Sequence, residues 1–162
     1  MEGRDKKQFR IRLIEDYFNS IKLSEDIKKY YEGKVVLITG GAGAIGSNLA
    51  IALSELVGGS GKIVILDNLS AVKDSEPWNV PELDNVLFIR GDIRQNTDIK
   101  RVFKENPAIV FHLAAFFANQ RSVDYPETSA VTDILGLLRL LEISSVAKIE
   151  KFLYASSGCA IY

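Results

Sequence analysis

The sequence predicts an α/β fold in which helices cover both faces of a parallel β-sheet, a doubly wound arrangement. Short runs of apolar residues, typical of buried strands, alternate along the chain with stretches of helical periodicity. Connections of this length join parallel strands through right-handed crossovers. The runs are residues 35–39, 63–66, 86–89, 108–112 and 152–155, so we expect about five strands.

The composition describes an ordinary globular protein of one domain. In 162 residues, 47% are hydrophobic, 25% are charged and the net charge is −1, so nothing predicts a nucleic-acid partner. One cysteine and one histidine predict neither a disulfide framework nor a zinc site. No run approaches the roughly 18 apolar residues of a membrane span, and the charged N-terminus does not read as a signal peptide. We therefore expect a cytoplasmic protein without a membrane partner.

Residues 1–33 precede the first strand and predict a helical N-terminal extension. Ser24 is placed to cap a second short helix that runs to Tyr31, and Gly33 to end it. We expect the extension to pack on the domain or on a partner subunit. Its apolar residues share a broadly helical face: Phe9, Ile11, Leu13, Ile14, Tyr17, Phe18 and Ile21.

A glycine motif follows the first strand and opens a helix. Gly40, Gly43 and Gly46 have the spacing G-x-x-G-x-x-G. The first permits a tight turn, the second lets backbone N–H groups approach a pyrophosphate, and the third allows close packing of helix on strand. The helix dipole also presents its positive end to the phosphates. This context predicts a Rossmann-like dinucleotide-binding domain over residues 34–162.

Acidic residues at the ends of the second and third strands support that prediction. Asp67 lies 21 residues beyond Gly46, where a Rossmann unit places the carboxylate that accepts from the adenosine ribose. A carboxylate there repels a 2′-phosphate, which favours NAD over NADP. Asp92 follows the third strand, where it is placed to hold the adenine amino group.

Two further features concern structure rather than chemistry. His112 lies within the fourth apolar strand and is expected to be a structural residue, not a proton carrier. A helix over residues 127–146 is apolar nearly all round, although a helix on one sheet face needs a single apolar stripe. The excess predicts a second body against the helix, most simply a second copy of the chain in a homodimer.

Six segments together resemble the extended short-chain dehydrogenase/reductases. They are TGGAGAIGSNLA, ILDNLS, GDIR, VFHLAA, SVDYPE and FLYASSGCAIY, in that order. More narrowly, the chain resembles the NAD-dependent epimerase/dehydratase family that acts on nucleotide-diphosphate sugars. The resemblance implies an epimerase or dehydratase that passes hydride transiently to tightly bound NAD. It covers about Lys34 to Tyr162 and leaves the extension outside.

The resemblance also assigns residues to the cofactor. It implies that the glycine segment holds the pyrophosphate, that the ends of the second and third strands hold the adenosine, and that the fourth strand end lies along the nicotinamide. In chain order these residues are Gly40, Gly43, Ala44, Ile45, Gly46, Asp67, Asn68, Asp92, Ile93, Leu113, Ala114 and Ala115, with Thr132 near the cofactor and Ser156 beside the nicotinamide.

The sequence departs from the family pattern where the chemistry is expected. Ala44 replaces a common aromatic, Leu135 replaces a common asparagine, and Gly158 stands where a catalytic hydroxyl is usual. Ser157 is the candidate catalytic residue in its place. We expect the Tyr-x-x-x-Lys pair of the family to lie beyond the fifth strand and to be absent from these residues. The chain then reads as an N-terminal part that is inactive alone. A non-catalytic dinucleotide-binding regulatory module and a structural assembly piece are the alternatives.

Overall fold

The computed structural model describes residues 3–71, 79–117 and 119–156. Five parallel strands form one sheet in these residues, in the order β3-β2-β1-β4-β5. The prediction of a doubly wound parallel sheet is confirmed. The strands are β1 (Val35–Thr39), β2 (Lys62–Asp67), β3 (Val86–Arg90), β4 (Ile109–His112) and β5 (Lys151–Tyr154).

The alternation of side chains along β1 explains why both sheet faces are covered. Val36 and Ile38 point to one face and pack with the helix α3 (Ala44–Val57), whereas Leu37 points to the other. On that second face lie the helix α4 (Asn96–Phe103) and the later helix α7 (Gly136–Ala147). Both faces of the central strands β1, β2 and β4 are covered, so these strands are apolar over most of their length. The strand β5 at the sheet edge differs, because Leu153 and Tyr154 are 38% and 57% exposed.

The segment after β4 contains three helical pieces and one irregular turn. The helix α5 (Asn119–Asp124) precedes α6 (Pro126–Ala130), which continues through a π-helical turn, Val131–Leu135, into α7. The predicted helix over residues 127–146 therefore exists, with its hydrogen-bond ladder widened near the start. Such widened turns occur often at functional sites.

The outer side of this helix is apolar and exposed, as the sequence predicts. Leu138 and Leu141 are 49% and 41% exposed, while Leu140 and Ser144 on the opposite side are buried. Gly136 lets the helix approach the sheet, because a Cβ there would stand 2.9 Å from the Ile93 side chain.

The N-terminal extension forms the helices α1 (Gly3–Ser20) and α2 (Glu25–Tyr31), and α1 packs on α3. Ser24 caps α2 by accepting from Ile27 N–H, as predicted. The guanidinium of Arg10 donates to the side-chain and backbone oxygens of Asn79, at 3.1 and 2.5 Å. This contact ties the extension to the connection between β2 and β3.

The prediction of one shared apolar face on the extension is wrong. Ile11 is buried, but Phe9, Leu13 and Tyr17 are 52%, 51% and 62% exposed. These three residues are spaced by four and so form a separate stripe on the outer side of α1. The packed side is held partly by the polar Arg10, which hydrophobic periodicity does not register.

Candidate functional site

A cavity of about 390 Å³ opens at the carboxyl ends of the strands. It lies at the point where the chain, having placed β2 and β3 on one side of β1, returns to place β4 on the other. Ligands of open α/β sheets bind at such a switch point. Its lining combines the glycine turn after β1, the end of β2 and the end of β4, with Gly43, Asp67 and Ala114 as representatives.

The glycine segment fits closely against its surroundings. Gly40 has a φ of +74°, and a Cβ there would stand 2.7 Å from Ala114 N in the turn after β4. A Cβ on Gly46 would stand 2.5 Å from Gly40 O. Gly43 differs, because an added Cβ would meet a single atom, Gly40 O, at 3.3 Å. Gly43 lines the cavity, so its missing side chain leaves room for a ligand rather than for the protein.

Asp67 is fixed at the end of β2 by backbone donors. Its Oδ2 accepts from Ala42 N–H at 3.0 Å and its Oδ1 accepts from Leu69 N–H at 2.7 Å. The carboxylate lines the cavity beside the glycine turn. Each oxygen retains a further lone pair, so the group is oriented and can still accept from a ligand hydroxyl.

Asp92 is engaged by the protein itself. Arg94 Nε and Nη2 donate to its carboxylate at 3.0 and 2.7 Å, and Asn68 Nδ2 donates at 2.9 Å. Burial alone would raise the pKa of Asp92, but these hydrogen bonds outweigh it and hold the pKa below its ordinary value. Arg94, Asn68 and Ile93 line the cavity, whereas Asp92 lies outside its lining.

A buried hydrogen-bonded group joins the two central strands beneath the cavity. Thr39 Oγ1 lies 2.6 Å from His112 Nδ1 and accepts from Ala114 N–H at 3.3 Å. His112 is 2% exposed, and this burial lowers its pKa to about 4, although Asp133 opposes the shift. Nδ1 of the neutral imidazole can accept a hydrogen bond from the Thr39 hydroxyl. The geometry agrees with the prediction that His112 is a structural residue.

The other residues assigned from the sequence fall into three groups. Leu113, Ala114, Ala115 and Thr132 line the cavity with the residues above. Gly46 is buried behind the turn, while Ala44 and Ile45 begin α3 with exposed side chains outside the lining. Ser156 is exposed after β5 and likewise lies outside the lining, and Ser157 lies outside the described residues.

Several residues that line the cavity were not predicted from the sequence. Arg94, Phe116, Arg121 and Thr128 all face the cavity. The proximity of Arg94 to Asp92, two positions apart at a strand end, was a usable signal. Nothing local marks the other three, which reach the cavity through the placement of α5 and α6.

A Tyr-x-x-x-Lys spacing does occur in the chain, at Tyr30 and Lys34, before the first strand rather than beyond the fifth. The structure places this pair just before β1, at the amino ends of the strands and so at the opposite edge of the sheet from the cavity. Lys34 Nζ pairs with Glu150 at 2.5 Å, and Tyr30 Oη donates to the same carboxylate at 3.3 Å. The pair fastens α2 to the start of β5.

The sequence profile of the NAD dependent epimerase/dehydratase family matches residues 36–162 of the chain. The chain belongs to this family. It is 36% identical over 127 residues to a UDP-glucose 4-epimerase of Mycolicibacterium smegmatis, a match that covers 78% of this chain and 39% of that protein.

Solved structures of epimerases share the fold of the chain. An epimerase of Methanothermobacter thermautotrophicus superposes with a TM-score of 0.77 at 48% identity, over 85% of this chain and 39% of that one. A Thermus thermophilus UDP-glucose 4-epimerase in complex with NAD gives 0.64 at 37% identity, over 76% and 38%. The chain thus spans about two fifths of the length of these relatives.

Two negative findings hold for the described ranges. Residues 3–71, 79–117 and 119–156 contain no helix long and apolar enough to cross a membrane. The same ranges contain no group of three or more metal-ligating side chains.

Proposed function

We propose that this chain binds NAD in the cavity at the switch point and is the cofactor-binding part of a nucleotide-sugar epimerase or dehydratase. One observation carries the proposal. The glycine turn after β1 and the Asp67 carboxylate after β2 line a single cavity, in the relation that a dinucleotide requires. The family membership and the NAD-bound relative support it.

The residues present fit the cofactor chemically. Gly43 leaves a space without a side chain beside the N-terminus of α3, where backbone N–H groups and the helix dipole favour a pyrophosphate. Gly40, Ala44, Ile45 and Gly46 complete that turn.

Asp67 would accept from the adenosine ribose, with Asn68 next to it. Asp92 and Ile93 would lie on the adenine side, and Leu113 to Ala115 with Thr132 along the nicotinamide. Ser156 is assigned beside the nicotinamide by the family pattern alone.

The chemistry follows from the cofactor and from what the protein keeps fixed. The cavity residues would hold NAD, which would supply a hydride acceptor that is regenerated within the same turnover and is therefore held tightly. The chain's own residues orient the dinucleotide: Asp67 fixes the adenosine end, and the close approach of Gly40 to Ala114 fixes the wall beside the nicotinamide. A nucleotide-diphosphate sugar is the proposed substrate of the whole enzyme. The proposed compartment is the reducing cytoplasm, where a single cysteine needs no disulfide partner.

Calorimetry with NAD and NADP tests this function. We expect NAD to bind and NADP to bind more weakly, because the Asp67 carboxylate repels a 2′-phosphate. D67N should weaken NAD binding roughly tenfold and reduce the preference over NADP, since a charged acceptor becomes a neutral amide. D16N, which removes an exposed carboxylate on α1, is the matched control. Wild-type protein that fails to bind NAD, or binds NADP equally well, would contradict the proposal.

A non-catalytic dinucleotide-binding regulatory module is the second candidate. The observation behind it is that Tyr30 and Lys34 lie at the far edge of the sheet, so this pair does not supply catalytic groups to the cavity. Both candidates predict that residues 1–162 bind NAD and show no turnover of UDP-glucose. Turnover by the purified chain would reject the module, and with it the expectation that this part is inactive alone.

The exposed side of α7 is the proposed contact with a second copy of the chain. Ile134, Leu138 and Leu141 follow each other at helical spacing and are 59%, 49% and 41% exposed. Such a row is larger than the scattered apolar residues of an ordinary surface. Two copies related by a twofold axis would cover it, since the same patch is then self-complementary.

A further inference from the structure

Two arginines line the cavity, and their charges are balanced differently. Arg94 forms a bidentate pair with Asp92, so its charge is neutralised within the protein. Arg121 on α5 also lines the cavity, but no carboxylate in the described part of the chain pairs with it. Its guanidinium therefore brings a net positive charge to this wall.

The position of the Arg121 side chain is set by an aromatic platform. Its guanidinium carbon lies 5.1 Å from the centroid of the Phe116 ring, within cation–π distance. Phe116 is fixed in turn, because its N–H donates to Asp133 Oδ1 at 2.7 Å. Stacking leaves the N–H donors at the edge of the guanidinium plane free for an anion.

In the described part of the chain the neighbouring carboxylates form no ion pair with Arg121 and are held by neutral donors instead. Asp133 accepts from Phe116 N–H and from Ser129 Oγ at 2.9 Å, so both its oxygens have partners. Asp124, three residues beyond Arg121, accepts from Gln120 Nε2 at 2.9 Å. Asp67 is the carboxylate that lines the cavity, and it is held by the N–H groups of Ala42 and Leu69 on the other side of β1.

A dinucleotide in this cavity carries its two negative charges on the pyrophosphate, next to Gly43. We propose that Arg121 is a pyrophosphate-binding residue, which closes on the phosphates from α5 while the glycine turn holds them through backbone N–H groups. This inference rests on the proposed NAD binding and adds to it a charged ligand that the glycine motif does not include.

The test compares R121Q with R12Q, which removes an equally exposed arginine on α1. Calorimetry with NAD, ADP-ribose and adenosine separates the parts of the cofactor. We expect R121Q to weaken NAD and ADP-ribose alike, roughly tenfold, because a charge-assisted hydrogen bond is lost. Adenosine, which has no phosphate, should bind R121Q as it binds the wild type. R121K should restore part of the affinity, and R12Q should leave all three ligands unchanged.

Each other outcome overturns a defined claim. If R121Q binds NAD as tightly as the wild type, Arg121 does not contact the phosphates. If NAD binding weakens and ADP-ribose binding does not, the arginine serves the nicotinamide end and the pyrophosphate proposal is wrong. Equal loss for adenosine would indicate a structural defect of the cavity. Wild-type protein that binds none of the three ligands would reject the proposed function itself, and this inference with it.

Discussion

His112 makes the stability of the folded chain depend on pH above the range in which carboxylates titrate. Burial lowers its pKa to about 4 in the folded state, against an ordinary value of 6.5. Between these values the unfolded chain binds a proton that the folded chain does not. Stability is therefore fully present above the unfolded pKa and is lost as pH falls towards the folded one.

The size of the effect follows from the shift. A difference of about 2.5 pKa units corresponds to about 3 kcal/mol in the free energy of unfolding once both states are protonated. About 2 kcal/mol of this is lost between about pH 7 and pH 5. Asp92 acts at lower pH, because its pKa is held below the ordinary carboxyl value, so its contribution is lost only as pH falls through that range.

Urea unfolding at a series of pH values measures this dependence, and H112N isolates it. An asparagine side-chain oxygen can accept the hydrogen bond from the Thr39 hydroxyl in place of Nδ1, but asparagine does not titrate. We expect the variant to be less stable at neutral pH, because it loses the ring that stacks on Tyr154 with 5.6 Å between the ring centroids. Its free energy of unfolding should nevertheless change little between about pH 5 and pH 7.

An NMR titration of the one histidine in the chain gives a direct second measurement. A folded-state pKa near 6.5, or an unchanged slope in H112N, would refute the reasoning.

Two further predictions concern the glycine turn and the surface of α7. G40A should lower the free energy of unfolding by at least about 2 kcal/mol, because φ is positive there and the new Cβ would meet Ala114 N. Urea unfolding measures this against the control G59A, whose Cβ would meet no atom within 4 Å. Equal stability of the two variants would contradict the prediction. L138K should abolish dimers in sedimentation equilibrium. L13K, which replaces a leucine of similar exposure on α1, should not. A monomeric wild type, or dimers that persist in L138K, would reject the proposed contact.

The elements of the fold were predictable from local signals. Buried strands show as short apolar runs, and the turn at Gly40 shows because few residues other than glycine adopt its φ. Ser24 shows because a hydroxyl before an acidic first turn caps a helix. Each signal concerns neighbours in the chain, so one sequence contains all the information required.

The parts that were not predictable depend on tertiary placement. Arg10 and Asn79 lie 69 positions apart, and nothing near either residue indicates their contact. Asp92 was correctly placed at a strand end, but its engagement by Asn68 depends on the register of β2 against β3. Arg121 reaches the cavity because the π-helical turn and Phe116 fix the surrounding wall, and periodicity does not register a widened turn.

The position of β1 in the sheet has a consequence for how the chain is made. β1 is synthesised before the other strands but lies between β2 and β4, and β4 ends at His112. Until that residue has left the ribosome, one edge of β1 presents unpaired N–H and C=O groups that can template a wrong partner. Since β1 and β4 are separated by the segment that contains β2 and β3, their pairing must close this long segment, and formation of the sheet centre waits until β4 has been synthesised. Chaperones that shield nascent strands would act on this interval.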